Sequence, residues 1–171
     1  MKWMTPIIFL WLVLFSGCNK RYVVESVVDG DTIILKPFMP IRIIGIDAPE
    51  IDQQSQKFKD DVVNFNTSSE QELNMAFESK KELQRLVLNK KVTLKIDPYF
   101  NQEIQENGRS GRTLRFVFVG GDDIGKVMIQ KGYARLWNMS LPLQNNYHCK
   151  NEDYAKEEES AKNLGLGIWK K

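Results

Sequence analysis

The sequence predicts an α+β domain: a small, strongly curved antiparallel β-barrel with about three helices packed on it. Three observations predict it. Strand-like runs open the chain and return in its middle, with helical segments interleaved and following. The length, 171 residues, is near a single-domain norm. Neither an internal repeat nor a composition shift marks a second domain.

Taken in order, residues 21–35 begin the sheet. Tyr22-Val23-Val24 and Val27-Val28 are strand-forming, with a bend expected at Glu25-Ser26. Two β-branched runs, 27–35 and 41–46, flank a turn carrying Lys36-Pro37, and Pro40 lies at the start of the second. Residues 51–69 are polar and read as a loop with one short amphipathic helical stretch, 58–65. Ser68 or Ser69 caps a helix over 70–88, whose first-turn Glu70 and Glu72 suit its dipole. Helical spacing assigns Leu73, Met75, Ala76, Phe77, Leu83, Leu86 and Val87 to the core. Residues 91–97 alternate polar and apolar as a half-buried strand ended by Pro98. A polar loop over 99–110 leads to a strand over 111–119. The turn Gly120-Gly121-Asp122-Asp123 opens a helix over 124–131, with Gly132 just past its end. Residues 138–151 are irregular, 152–163 form a charged helix, and Gly165-Leu166-Gly167-Ile168-Trp169 is an apolar anchor. Five strands suit a barrel of the OB type.

The chemistry concentrates in residues 27–50. Asp31 follows the turn residue Gly30, Arg42 enters the second β-branched run, and Asp47 and Glu50 leave it, with Pro49 ending it. A hairpin sets its strands about 5 Å apart. Asp31, Asp47 and the Ala48 backbone carbonyl are therefore able to offer hard oxygen ligands to one divalent cation of the kind calcium prefers. Glu50 then lies near the same ion, and Arg42 faces a phosphate bound to it. The alternative is a surface hairpin whose acids are solvated turn residues.

Asp-Gly-Asp-Thr followed by Ile-Arg-Ile-Ile-Gly-Ile-Asp-Ala-Pro-Glu resembles the signature of the staphylococcal nuclease, or thermonuclease-like, family. The resemblance runs from about residue 22 to 169. It implies that Asp31 and Asp47 are metal-binding aspartates, with the Ala48 carbonyl as a third ligand to one Ca²⁺. It further implies that Glu50 is the catalytic glutamate and Arg42 the first catalytic arginine. Gly111-Arg112-Thr113-Leu114 is similar to the family's Gly-Arg-x-Leu, which makes Arg112 the second arginine. Asn107-Gly108-Arg109 competes for that match, but the strand that should follow the arginine at once favours Arg112; Arg109 remains a substrate-binding candidate. Ala48 stands where the family commonly has threonine, a change that leaves the carbonyl intact. Residues 53–69 resemble an insertion beside the active site. Tyrosines found after the second helix in the best-known member are replaced by Asn138 and Ser140, with Trp137 nearby as a stacking candidate or a core residue.

The resemblance implies a calcium-dependent endonuclease that hydrolyses phosphodiester bonds of DNA, with RNA as a candidate second substrate, prefers single strands and leaves 3′-phosphate ends. A rival reading is a non-catalytic nucleic-acid-binding module on the same fold. The single histidine, His148, excludes a two-histidine ribonuclease mechanism and a histidine-rich zinc site within one chain. A formal net charge of +2 says nothing for nucleic acid, so any phosphate-binding surface must be local.

The amino end reads as a leader. Met1-Lys2 is a short positive region, and residues 3–17 carry no charge over an apolar stretch too short to span a bilayer. Leu14-Phe15-Ser16-Gly17-Cys18 resembles a bacterial lipobox, with lipidation expected at Cys18. The expected organisation is thus a signal peptide over 1–17, a lipidated cysteine with a short tether over 18–20, and the nuclease domain over 21–171. The protein would be extracytoplasmic, lipid-anchored to a bacterial membrane, or secreted if the anchor is cleaved or absent. Cys149 then lacks a disulfide partner and reads as a structural thiol. A monomer is expected.

Overall fold

The computed structural model describes residues 20–96, 112–137 and 148–170, with 148–151 described as backbone. Cys18, Arg109, Asn138, Ser140 and the side chains of His148 and Cys149 lie outside the described residues. Among the described residues, no helix is long and apolar enough to cross a membrane.

Strand β1 (Arg21–Val27) pairs antiparallel with β2 (Thr32–Leu35) and with β5 (Lys91–Lys95). The bend expected at Glu25-Ser26 is a β-bulge: Val24 opposes Leu35, and Ser26, two residues on, opposes Ile34. The extra residue explains why Val24 and Val27, three apart, both face the core. Strand β2 pairs antiparallel with β3 (Met39–Ile43), placing Thr32 opposite Arg42 and Ile33 opposite Ile41. Ile33, Leu35, Ile41 and Ile43 point inward and are fully buried. Thr32 and Arg42, on the alternate positions, share the other face.

The run 41–46 is not one strand. It breaks at Gly45, whose φ of +82° suits glycine. Strand β4 (Ile46–Asp47) then leaves to pair with β8 (Arg135–Leu136). Strand β6 (Thr113–Val119) pairs antiparallel with β5 and parallel with β3, which closes a five-stranded barrel in the order β3-β2-β1-β5-β6. The barrel is therefore mixed rather than wholly antiparallel. Hairpins force antiparallel neighbours, but β3 and β6 are joined through helices and a long stretch of chain, which allows parallel closure. Closure leaves none of the five strands an open edge.

Four helices among the described residues pack on this barrel, so the α+β reading holds. Helix α1 (Gln56–Asn64) lies in the polar segment 53–69, with Ser55 as its N-cap. Helix α2 (Ser69–Val87) begins with a capping box between Ser68 and Gln71. Its buried face is Glu72, Ala76, Ser79, Leu83 and Val87, while Phe77 is exposed and Leu73 and Met75 are half-buried. Two polar residues displace expected apolar ones because each has a partner in the interior. Arg135 meets Glu72, and the Ser79 hydroxyl donates to the Tyr133 carbonyl at 2.6 Å. Strand β7 (Asp122–Asp123) pairs with β6, where a plain turn was expected, and Asp123 caps helix α3 (Ile124–Gln130). Helix α4 (His148–Asn163) starts earlier than its charged stretch suggested. Ile168, in the closing 3₁₀ turn Gly167–Trp169, is the buried anchor.

Candidate active site

The site forms on the outer face of the β2–β3 hairpin, under the segment that follows β4. Asp31 directly precedes β2 and is almost fully buried. Its backbone amide is held by the Asp29 carboxylate at 3.0 Å. One of its carboxylate oxygens accepts from the Thr32 hydroxyl at 3.0 Å, the other from the Ala48 amide at 2.8 Å. Gly30 makes this approach possible. A Cβ there would come within 2.5 Å of the Ala48 Cβ and 2.8 Å of the Ser79 Cβ.

Arg42 ion-pairs with Asp31 and donates through Nη2 to Asp47 Oδ1 at 2.9 Å. Burial pulls its guanidinium below the ordinary arginine value; the negative charge of Asp47 opposes that, and Arg112 adds to it. The Trp137 ring covers Arg42 at 5.3 Å from Cζ and packs against Ile44, Leu114 and Phe116. This position makes Trp137 part of the wall that desolvates the arginine. Arg112, at the entry to β6, donates to the Thr32 hydroxyl at 3.2 Å. Two guanidinium groups thus flank Thr32, one from β3 and one from the start of β6.

Asp47 ends β4, and the Ala48 carbonyl follows it. Both face the ammonium of Lys57, at 3.4 Å from Asp47 Oδ2 and 2.8 Å from the carbonyl oxygen. Glu50 is half-buried, and its Oε1 accepts from the amides of Ile51 at 2.9 Å and Asp52 at 3.3 Å. Its orientation is therefore set by the chain that follows it.

The structure thus brings together Asp31, Arg42, Asp47, Ala48 and, through Thr32, Arg112. Sequence reasoning missed Thr32, whose hydroxyl links Asp31 to Arg112, and Lys57. Lys57 lies one residue outside the helical stretch expected from sequence, 58–65, so its pairing with Asp61 four residues on was not apparent.

Among the described residues, no group of three or more histidine, cysteine, aspartate or glutamate side chains is arranged to hold a metal ion. The donor chemistry nonetheless fits a hard divalent cation. A carboxylate and a backbone carbonyl already converge on one positive charge, and Asp31 is bonded to the amide of the same Ala48. All three donors are oxygens, with no thiolate or imidazole among them.

Residues 40–171 match the family model described as staphylococcal nuclease homologue. The chain is 30% identical over 158 residues to a thermonuclease of Staphylococcus hyicus, covering 90% of this chain and 79% of that one. It is 27% identical over 159 residues to a thermonuclease of Staphylococcus intermedius, covering 90% and 78%. A 96-residue stretch is 35% identical to part of Ribonuclease TUDOR 1 of Arabidopsis thaliana, covering 56% of this chain and 9% of that much longer protein. The closed barrel with its helices agrees with these matches, and the chain belongs to the staphylococcal nuclease homologue family.

Proposed function

We propose that the protein is a calcium-dependent nuclease that hydrolyses phosphodiester bonds of single-stranded DNA, and of RNA, outside the cytoplasm. Family membership and the nuclease relatives support a nuclease-type function. The observation that carries the finer reading is the pair of arginines about Asp31 and Thr32: Arg42 on Asp31 and Asp47, and Arg112 on the Thr32 hydroxyl that donates to Asp31.

Each part has a chemical use. Arg42 and Arg112 present planar donor forks to the non-bridging oxygens of a phosphodiester, where negative charge grows during attack. Burial of Arg42 strengthens that attraction, because water no longer screens it. The Asp31–Arg42–Asp47 contacts hold the guanidinium in place before substrate arrives, so little order must be created on binding. Asp31, Asp47 and the Ala48 carbonyl are the residues that would hold Ca²⁺; bound there, the ion supplies Lewis acidity for a phosphate oxygen. Glu50 orients the attacking water and takes its proton. The water oxygen bonds to phosphorus as the leaving oxygen departs and is protonated. The proposed setting is a bacterial membrane surface, with the lipid on Cys18.

The test is release of acid-soluble nucleotides from heat-denatured DNA, with calcium, magnesium and EDTA in parallel. Calcium-dependent release that stops with EDTA and falls at least about 10²-fold in Glu50→Gln is the expected result. A folded, calcium-binding protein that releases nothing would instead be a nucleic-acid-binding module on the same fold.

A further inference from the structure

We infer that Lys57 is a resident cation in this site, placed by the inserted helix where a divalent ion would bind, and that it sets the site's metal affinity by having to leave first. The inference rests on the reading of Asp31, Asp47 and the Ala48 carbonyl as cation donors. Three observations carry it.

The first is the set of oxygens that hold the ammonium. Lys57 Nζ lies 2.8 Å from the Ala48 carbonyl oxygen and 3.4 Å from Asp47 Oδ2. These are two of the three donors assigned to the metal. An ammonium and a divalent ion cannot share them, because the two positive charges would lie within a few ångströms of each other.

The second is the position of Lys57 on its helix. It is in the first turn of α1, one residue after Gln56 and two after the Ser55 cap. A cation there faces the positive end of the helix dipole, and that turn contains no acidic residue to offset it. The helix dipole therefore does not explain the lysine. Its partners do: Asp61, one turn on, and the oxygens of the β4 segment.

The third is an alternative resting place. Lys57 also lies 2.8 Å from Asp61 Oδ2, one helical turn on, and Asp61 is buried. When the ammonium leaves the carbonyl and Asp47, it keeps Asp61 as a partner, so displacement does not strand a charge. The Lys57 side chain is one-third exposed, which gives it room to move.

Calorimetric titration of calcium chloride into the full-length chain in detergent tests this directly. The comparison is wild type, Lys57→Met, Lys57→Gln and each of these with Asp47→Asn, alongside the melting temperature of each metal-free protein. Both Lys57 variants should bind calcium at least about tenfold more tightly, while their metal-free melting temperatures fall. Asp47→Asn should remove binding in every background. Wild type and Lys57 variants that bind calcium equally, or variants that bind more weakly, would overturn the inference and leave the donor assignment standing. Absence of calcium binding in all of them would overturn both.

Discussion

Two arginine–carboxylate clusters lie side by side in this protein, and their surroundings differ. In one, Arg135 Nη2 donates to Glu72 Oε1 at 3.2 Å, the carboxylate is fully buried, and the Phe65 ring sits 3.5 Å from the guanidinium carbon. In the other, Arg42 bridges Asp31 and Asp47, but Asp47 remains one-fifth exposed and its second oxygen faces Lys57, itself one-third exposed. The clusters are physically joined. Asp47 pairs with Arg135 across β4 and β8, and Asp61 reaches both Lys57 and Arg135. The difference teaches how one ionic motif serves two ends. The sealed pair fastens α2 and, through Asp61, α1 to β8, while the open cluster keeps polar groups within reach of solvent.

Breaking the sealed pair should have the largest effect. Glu72→Gln removes the closer of the two carboxylates facing buried Arg135 and leaves Asp61 at 3.6 Å; breaking a buried pair typically costs about 3–5 kcal/mol. Chemical denaturation should show that loss, and a cost under about 1 kcal/mol would mean that the cluster is less sealed than its burial indicates. The next effect sharpens the boundary between the clusters. Gly30→Ala puts a methyl group against Ala48 and Ser79, so the strand, the site loop or α2 must shift, at an overpacking cost of about 1–3 kcal/mol. Because Ala48 is bonded to Asp31, turnover should fall along with stability. Full activity in Gly30→Ala would show that the site tolerates movement of Ala48.

The open cluster was far more legible in sequence than the sealed one. Asp31, Arg42, Asp47 and Ala48 lie within one short stretch, where turn and strand chemistry nearly fix their relation. Arg112 was found through its neighbours Gly111 and Leu114. Glu72 and Arg135 carry no such local signal: 63 residues separate them, and the pairing exists only once α2 lies across β8. The same contact explains Phe77. Apolar spacing placed it in the core, but the face that α2 buries is chosen by Arg135, which donates to Glu72, and by the Tyr133 carbonyl, which accepts from Ser79. Parallel closure of β3 on β6 was likewise invisible to periodicity, which reports the faces of a strand and not its neighbours. Lys57 was hidden because a lysine in a polar run looks solvated until the oxygens it meets are placed.

The proposed turnover by paired guanidinium forks in the open cluster stands or falls with Arg112→Lys. The substitution keeps the charge and removes the fork, at a residue that is only half-buried. The measurement is kcat on heat-denatured DNA in saturating calcium, with the melting temperature followed in parallel. The expected result is a fall of about 10²–10³-fold with little change in melting temperature. A kcat within about threefold of wild type, in a protein of unchanged stability, would contradict it.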